Sequence, residues 1–228
     1  ERMVQDRTGL VLVPYFSATK MEWMLANRPE VRSAGNRLAF GTIDCWLLWK
    51  LTGGATHATD ASNASRTMLL ALDGDQWDAE LCELFHIDAA SLPQIVDSLG
   101  QVGETDPSLF GRAIPICGMA GDQQAATIGQ GCLGAGHTKA TFGTGAFVLT
   151  NSGEKPRHSS NRLLTTVLGQ VHGRRFYALE GSIFVAGSLM QWPRDSAGLL
   201  LSAPESEELA RSVPDNGGVY MVPALSGL

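Results

Sequence analysis

AIPICGMAGDQQAATIGQG, residues 113–131, is the stretch on which the fold of this chain turns. The apolar run from Ile114 to Ala120 has the length of a buried strand. Gly121-Asp122 breaks it, and Gln123–Gln130 reads as a short helix closed by Gly131. Strand, turn and helix in succession predict an α/β fold, with a carboxylate placed at the carboxyl end of a strand, where open α/β sheets gather their ligands. Two readings of Asp122 stand side by side: an N-cap whose oxygen accepts a backbone N–H of the first turn, or an acid that meets a substrate. They are compatible, because a helix end is also a functional address.

Composition narrows the function. The chain has 228 residues, 44% hydrophobic and 18% charged, enough for one large or two ordinary globular domains. A formal charge of −6 argues against a nucleic-acid binder, which needs a basic face. Cys45, Cys82, Cys117 and Cys132 are far apart without CxxC spacing, and three sit in apolar settings. They read as buried thiols of a reducing, cytoplasmic compartment rather than as disulfides or zinc ligands. No apolar run is long enough to span a bilayer, and no secretory signal opens the chain. The start at Glu1 and the stop after Gly227-Leu228 predict a fragment.

Working outward toward the start, residues 9–16, GLVLVPYF, read as a strand or extended approach, with Pro14 limiting its pairing. Ser17 is expected to cap a helix through Asn27, with Met21, Met24 and Leu25 on one stripe and Pro29 just beyond. Ser17 and Lys20 also match the S-x-x-K of serine acyl-transferases. The companion SDN and KTG are absent from the sequence, and a cap with a surface lysine accounts for the match. Thr42–Leu51 predicts a second helix, with Ile43, Trp46, Leu47 and Leu51 at helical spacing and Gly53-Gly54 stopping it. Residues 56–70, THATDASNASRTMLL, read as loop and short strand. His57 and Asp60 are potential metal ligands without a third at recognisable spacing, so a turn is the better account. Asp75–Phe85 predicts a short helix with Leu81, Leu84 and Phe85 inward, and Pro93–Asp106 an irregular connection.

Toward the other end, GQGCLGAG at 129–136 matches G-x-G-x-x-G. Its glycines close a helix instead of opening one, so it reads as a C-cap and a flexible joint dividing the chain into domains at 1–131 and 132–228. Thr141–Thr150 predicts a strand interrupted by Gly143-Thr144-Gly145. There the missing side chains open amides and the Thr144 hydroxyl to an anion, or mark a structural bulge. Leu163–Gln170 and Arg175–Leu179 predict a hairpin around His172-Gly173. Ser182–Trp192 predicts a helix carrying Gly187 in its middle and stopped at Pro193. Pro204 opens another helix, and Val219–Pro223 reads as a strand. No Walker A motif occurs, which excludes a P-loop kinase by pattern.

Together PYFSATK (14–20), FGTIDCWLLWKLTGG (40–54), TDASNASRTMLL (59–70), GMAGDQQAATIGQ (118–130), FGTGAF (142–147), LLTTV (163–167), YALEGSIFVAGSLMQW (177–192) and GVYMVPALSGL (218–228) resemble the FGGY carbohydrate kinases nearly end to end. GDQQAA and SNASRTM point to the members that phosphorylate glycerol. The resemblance implies the actin-like, ribonuclease-H-like ATPase fold, two lobes with the active site in the cleft, of which this chain is the end of lobe I and the start of lobe II. It implies ATP-dependent phosphorylation of glycerol to sn-glycerol 3-phosphate with Mg²⁺, in a cytoplasmic homo-oligomer. By the same resemblance Asp122 is the catalytic base, and Tyr15, Gln123 and Phe147 contact glycerol. Thr144 lies at the nucleotide phosphates, and Gly187 and Gln191 line the nucleotide site. Phosphoryl transfer is mainly positioning and charge stabilisation, which fits so small a set.

The departures carry weight too. The family's N-terminal phosphate loop with its metal-side Asp, its Arg-Glu glycerol clamp and its C-terminal adenosine site are absent from this sequence. The segment before Arg112 is unlike the loop that carries fructose-1,6-bisphosphate inhibition in some members, and Pro193 stands where the family usually has Leu. A fragment of this kind is expected to be inactive alone. A kinase for another polyol or ketose, and a non-catalytic ATP-binding module on the same fold, are the other readings.

Overall fold

Helices precede the first strand. α1 (Arg2–Thr8), α2 (Ser17–Asn27), α3 (Pro29–Arg32) and α4 (Ile43–Leu51) lead to β1 (Ala58–Asp60), followed by α5 (Ala61–Ala64) and α6 (Ala79–Leu84). Then come β2 (Gln94–Val96), β3 (Leu99–Glu104), α7 (Pro107–Phe110), β4 (Pro115–Gly118) and α8 (Asp122–Gly129). The remainder is β5 (Thr138–Phe142), β6 (Ala146–Gly153), β7 (Leu164–Val171), β8 (Arg174–Ile183), α9 (Gly187–Asp195) and α10 (Glu205–Arg211). This computed structural model describes residues 1–225, so the last three residues of the 218–228 stretch lie outside it. Among the described residues β1 pairs with β2 in parallel, β3 with β4 antiparallel, and a four-stranded sheet has the order β5-β6-β8-β7. The chain forms two compact units, Glu1–Thr138 with Leu149–Glu180, and Lys139–Val148 with the residues from Gly181 on.

The first unit holds the apolar core. Val4, Leu10, Phe16, Met21, Met68, Leu69, Leu81 and Phe85 form one buried cluster, and Ala61, Leu70, Leu72, Ile95, Val167 and Tyr177 form another. At roughly 1.5–3 kcal/mol for each large side chain taken from water, these clusters dominate the unit's stability. The β7–β8 hairpin forms as the sequence predicts, with His172 and Gly173 both at positive φ, 50° and 72°, as a two-residue turn requires. Arg66 reaches from just beyond α5 to the buried Glu180 of β8, with Nη1 2.8 Å from Oε2, and its guanidinium covers the Phe16 ring.

Several expectations are corrected in this unit. Residues 9–16 are extended without joining a sheet: Gly9 accepts from the Thr165 N–H through its carbonyl, and Pro14 has no N–H to give. Phe16, not Ser17, is the N-cap of α2, and no side chain caps that helix. Lys20 Nζ donates to the Tyr15 carbonyl at 2.8 Å. Helical spacing ordinarily marks the core-facing side, yet in α4 Ile43, Trp46 and Leu47 are 70%, 53% and 54% exposed. The buried side is Asp44, Cys45 and Leu48, because the Asp44 carboxylate is satisfied by the hydroxyls of Thr42 and Thr59. Leu84 is likewise exposed, one residue before the buried Phe85. Residues 56–70 contain the single-turn helix α5, nucleated by Asp60, and 93–106 contain the strands β2 and β3 in place of an irregular connection. The expected buried strand at 114–120 shrinks to β4, which is largely exposed because only β3 pairs with it among the described residues.

The second unit differs in its elements. Thr141–Thr150 is not one interrupted strand: β5 and β6 are hydrogen-bonded neighbours joined by Gly143–Gly145, and the Gly143 N–H donates to the Gly145 carbonyl at 2.8 Å. β8 runs on to Ile183, so the predicted helix at 182–192 begins only at Gly187, which opens α9 instead of interrupting it. Pro193 lies inside α9, and two residues later the N–H groups of Ser196 and Ala197 close the helix on the Trp192 carbonyl. Val219–Pro223 forms no strand, having no partner strand among the described residues.

Candidate active site

The turn between β4 and α8 is built so that one residue stands clear. Gly121, at φ −60° and ψ 150°, is the N-cap, and Asp122 is the first helical residue. The N-cap expectation for Asp122 is thus corrected by one position, the break in helical geometry falling at the glycine. The Asp122 Oδ1 accepts the N–H of Gln123 at 2.8 Å, and Gln123 Nε2 lies 3.4 Å from Oδ2. The carboxylate is exposed, and the partial positive charge of the first turn favours an anion there.

Beneath the turn lies a buried polar cluster that the sequence reading passed over as loop. Asp60 is fully buried, and its carboxylate accepts hydrogen bonds from the N–H groups of Ser62 and Asn63, both at 3.0 Å, and from the side chains of Ser62, Asn63 and Ser98. Ser62 Oγ, which donates to Asp60 at 3.0 Å, accepts the Gly121 N–H at 2.9 Å. The Ser98 carbonyl accepts the N–H of Met119 at 3.0 Å. Gln124, also buried, closes over the turn: a Cβ on Gly121 would stand 2.5 Å from its Oε1. The available signal was an Asp followed at two and three residues by Ser and Asn, the pattern of a side chain that caps its own next turn.

The other predicted residues fall into separate groups. Gln123 is next to Asp122 and touches it. Tyr15 is 55% exposed and stands edge-on to Phe16 with ring centroids 5.2 Å apart. Thr144, Gly187, Gln191 and Phe147 belong to the second unit. There the structure brings Thr144 to the start of α9: its carbonyl accepts the N–H of Ala186 at 2.9 Å and of Ser188 at 3.2 Å, while Gly187 donates to the Gly143 carbonyl at 2.9 Å. Gln191 follows Gly187 by one helical turn, and Phe147 is half-buried on β6.

The glycines here are used differently from the expectation that they clear the backbone for an anion. A Cβ on Gly145 would sit 2.7 Å from the Ile183 carbonyl oxygen, and one on Gly187 2.5 Å from that of Gly143. At those two positions the absent side chain makes room for the protein's own backbone. Gly143 alone of the turn has no atom closer than 3.8 Å to a built Cβ.

Other chemistries find little support. Cys45, Cys82 and Cys132 are buried, Cys117 is exposed, and all are free. Burial, with Asp44 adding to it, pushes the Cys45 thiol up to about 11, which makes it a poor nucleophile at neutral pH. His57 bonds the Phe40 carbonyl at 2.7 Å and Asp60 is occupied as described, so neither is arranged as a metal ligand. Among the described residues no three His, Cys, Asp or Glu side chains converge on a metal position. No helix among them is long and apolar enough to cross a membrane.

Comparison with known proteins supplies the frame. The chain is 55% identical over 230 aligned residues to a glycerol kinase of Rhodospirillum centenum and 54% identical to glycerol kinase 1 of Pseudomonas aeruginosa. All of this chain is covered in both, against 46% and 47% of the relatives, so it spans about half the length of the curated relatives it matches. Its structure superposes on the crystal structure of Plasmodium falciparum glycerol kinase with ADP at a TM-score of 0.90 and 37% identity, covering 100% of this chain and 46% of that one. A xylulose kinase of Rhodospirillum rubrum superposes at 0.82 and 23% identity, over 99% of this chain and 46% of that one, a likeness of fold alone. The fold is thereby the actin-like ATPase fold of these sugar kinases. The N-terminal domain model of the FGGY carbohydrate kinases matches residues 1–129 and the C-terminal domain model matches 138–228, and the chain therefore belongs to the FGGY family of carbohydrate kinases.

Proposed function

We propose that this chain is part of a longer protein that transfers the γ-phosphoryl group of ATP to a terminal hydroxyl of glycerol, giving sn-glycerol 3-phosphate and ADP. The observation that carries the reading is Asp122: an exposed carboxylate in the first turn of α8, its turn tied from below to buried side chains. As the hydroxyl oxygen bonds to the γ-phosphorus and the bond to ADP breaks, its proton passes to Asp122. One positioned base contributes roughly 10²–10⁴-fold. Gln123 beside it, Tyr15 and Phe147 are the glycerol contacts in this reading, and Thr144, Gly187 and Gln191 serve the nucleotide. Residues 1–131 close the glycerol-side lobe and residues 132–228 open the nucleotide-side lobe.

Mg²⁺ in this reading accompanies the nucleotide and would neutralise the charge of its phosphates. The cytoplasm is the compartment in this reading, in keeping with free thiols. A homo-oligomer completes the reading. The test is a substrate panel on the full-length protein with Mg-ATP. Glycerol is expected to give the highest kcat/KM among polyols and ketoses. Faster turnover of xylulose or another sugar would replace the substrate, and absence of transfer to any acceptor would leave a binding module.

A further inference from the structure

We propose that Asp60, acting through Ser62 and Ser98, is a positioning residue for Asp122; the inference rests on the reading of Asp122 as the base. None of the five residues of the turn 118–122, Gly118, Met119, Ala120, Gly121 and Asp122, is fully buried, so side-chain packing alone does not anchor it. It is held at two points instead. On one side the Gly121 N–H is bound by Ser62 Oγ, on the other the Met119 N–H is bound by the Ser98 carbonyl. Both serines converge on the same carboxylate, Ser62 Oγ at 3.0 Å from Oδ1 and Ser98 Oγ at 2.5 Å from Oδ2 of Asp60.

The geometry of each serine fixes its role. A hydroxyl has one proton. Ser62 gives that proton to Asp60, which leaves its lone pairs for the Gly121 N–H and so orients them. Ser98 gives its proton to Asp60 and accepts the N–H of Gln170 at 3.1 Å, which locks its backbone where the carbonyl meets Met119. The Asp60 carboxylate is itself held by the two N–H groups that start α5 and by Asn63 Nδ2 at 2.8 Å. It accepts five hydrogen bonds in all, and fully satisfied buried networks of this kind rigidify what they hold. Gln124, 3.4 Å from Thr166 Oγ1, ties α8 to β7, and Ser65 at the end of α5, 3.1 Å from the same oxygen, ties α5 to it, which completes the frame. The result is that the first residue of α8 is placed from β1 and α5, more than fifty residues earlier in the chain. An in-line transfer depends on such placement, since a displacement of about 1 Å in a reacting group can cost 10²-fold.

The experiment is a double-mutant cycle in the full-length protein, with Ser62→Ala and Asp122→Asn singly and together, measuring kcat with saturating glycerol and the KM for ATP. Ser62→Ala should lower kcat about tenfold or more while the KM for ATP stays within about twofold, the sign of a contact that matters only in the transition state. On the Asp122→Asn background the same change should cost nothing further, because there is no base left to place. An unchanged kcat for Ser62→Ala overturns the inference, and so does an equal loss on both backgrounds, which would mean that Ser62 acts otherwise than through Asp122. If Ser62→Ala fails to fold, Ser98→Ala is read by the same criteria. Near-normal turnover by Asp122→Asn removes the reading of the base itself, whereas an inactive Asp122→Asn with a fully active Ser62→Ala removes this inference alone.

Discussion

Two glycine-containing turns are held in opposite ways. At 118–122 in the first unit, buried side-chain oxygens grip the backbone: Ser62 binds Gly121, and Asp60 holds Ser62. At 143–145 in the second unit the grip is backbone on backbone, with the N–H groups of Ala186, Gly187 and Ser188 donating to the carbonyls of Thr144 and Gly143. The surroundings differ in step. Asp60, Ser62, Ser98 and Gln124 are buried in the first unit, whereas the residues from Gly181 to Leu225 include none that is buried. The first turn depends on the identity of distant side chains and the second on the absence of local ones. Substitutions should therefore harm the first by removing atoms and the second by adding them.

The largest effect is expected at the centre of the side-chain grip. Asp60→Leu removes the acceptor of five hydrogen bonds and leaves their donors buried without a partner, at about 1–3 kcal/mol for each group that finds no substitute. Denaturant unfolding of the full-length protein should show a loss of several kcal/mol, roughly the size seen when a buried charge network is broken. A loss below about 1 kcal/mol would mean that water or rearranged side chains replace Asp60, and that the grip is not what holds the turn.

A smaller effect is expected from adding atoms to the second turn. Gly145→Val places a β-branched side chain where a Cβ already comes within 2.7 Å of the Ile183 carbonyl and 3.3 Å of that of Phe184. Overpacking of this kind costs about 1–3 kcal/mol. Calorimetric titration should find ATP binding weakened together with the stability of the second unit. Retained stability with selective loss of ATP binding would restore the idea that Gly145 faces the phosphates directly.

The two turns were also unequally legible. Strand, break and helix at 113–131 are written in apolar periodicity and glycine, so the position of Asp122 follows from the sequence almost to the residue. The polar cluster beneath it was not legible, since Ser62, Asn63 and Ser98 are small, polar and turn-forming. Nothing local shows that Ser98, far along the chain, meets Asp60. At 182–192 the strand β8, which runs on to Ile183, displaced the start of the predicted helix, because pairing within a sheet overrides local helical spacing. In α4 the spacing of Ile43, Trp46 and Leu47 predicts the helix but does not mark its buried side, because Asp44 finds hydroxyl partners on the opposite side.

The most direct measurement is the turnover of Asp122→Asn in the full-length protein with glycerol and Mg-ATP. Asparagine keeps an oxygen for the Gln123 N–H, so the first turn of α8 remains intact. It cannot take a proton, so kcat should fall by roughly 10²–10⁴-fold. The unfolding midpoint should stay where it is. A kcat within about threefold of the parent, at unchanged stability, would contradict the account and leave Asp122 as a helix-end residue without a part in the chemistry.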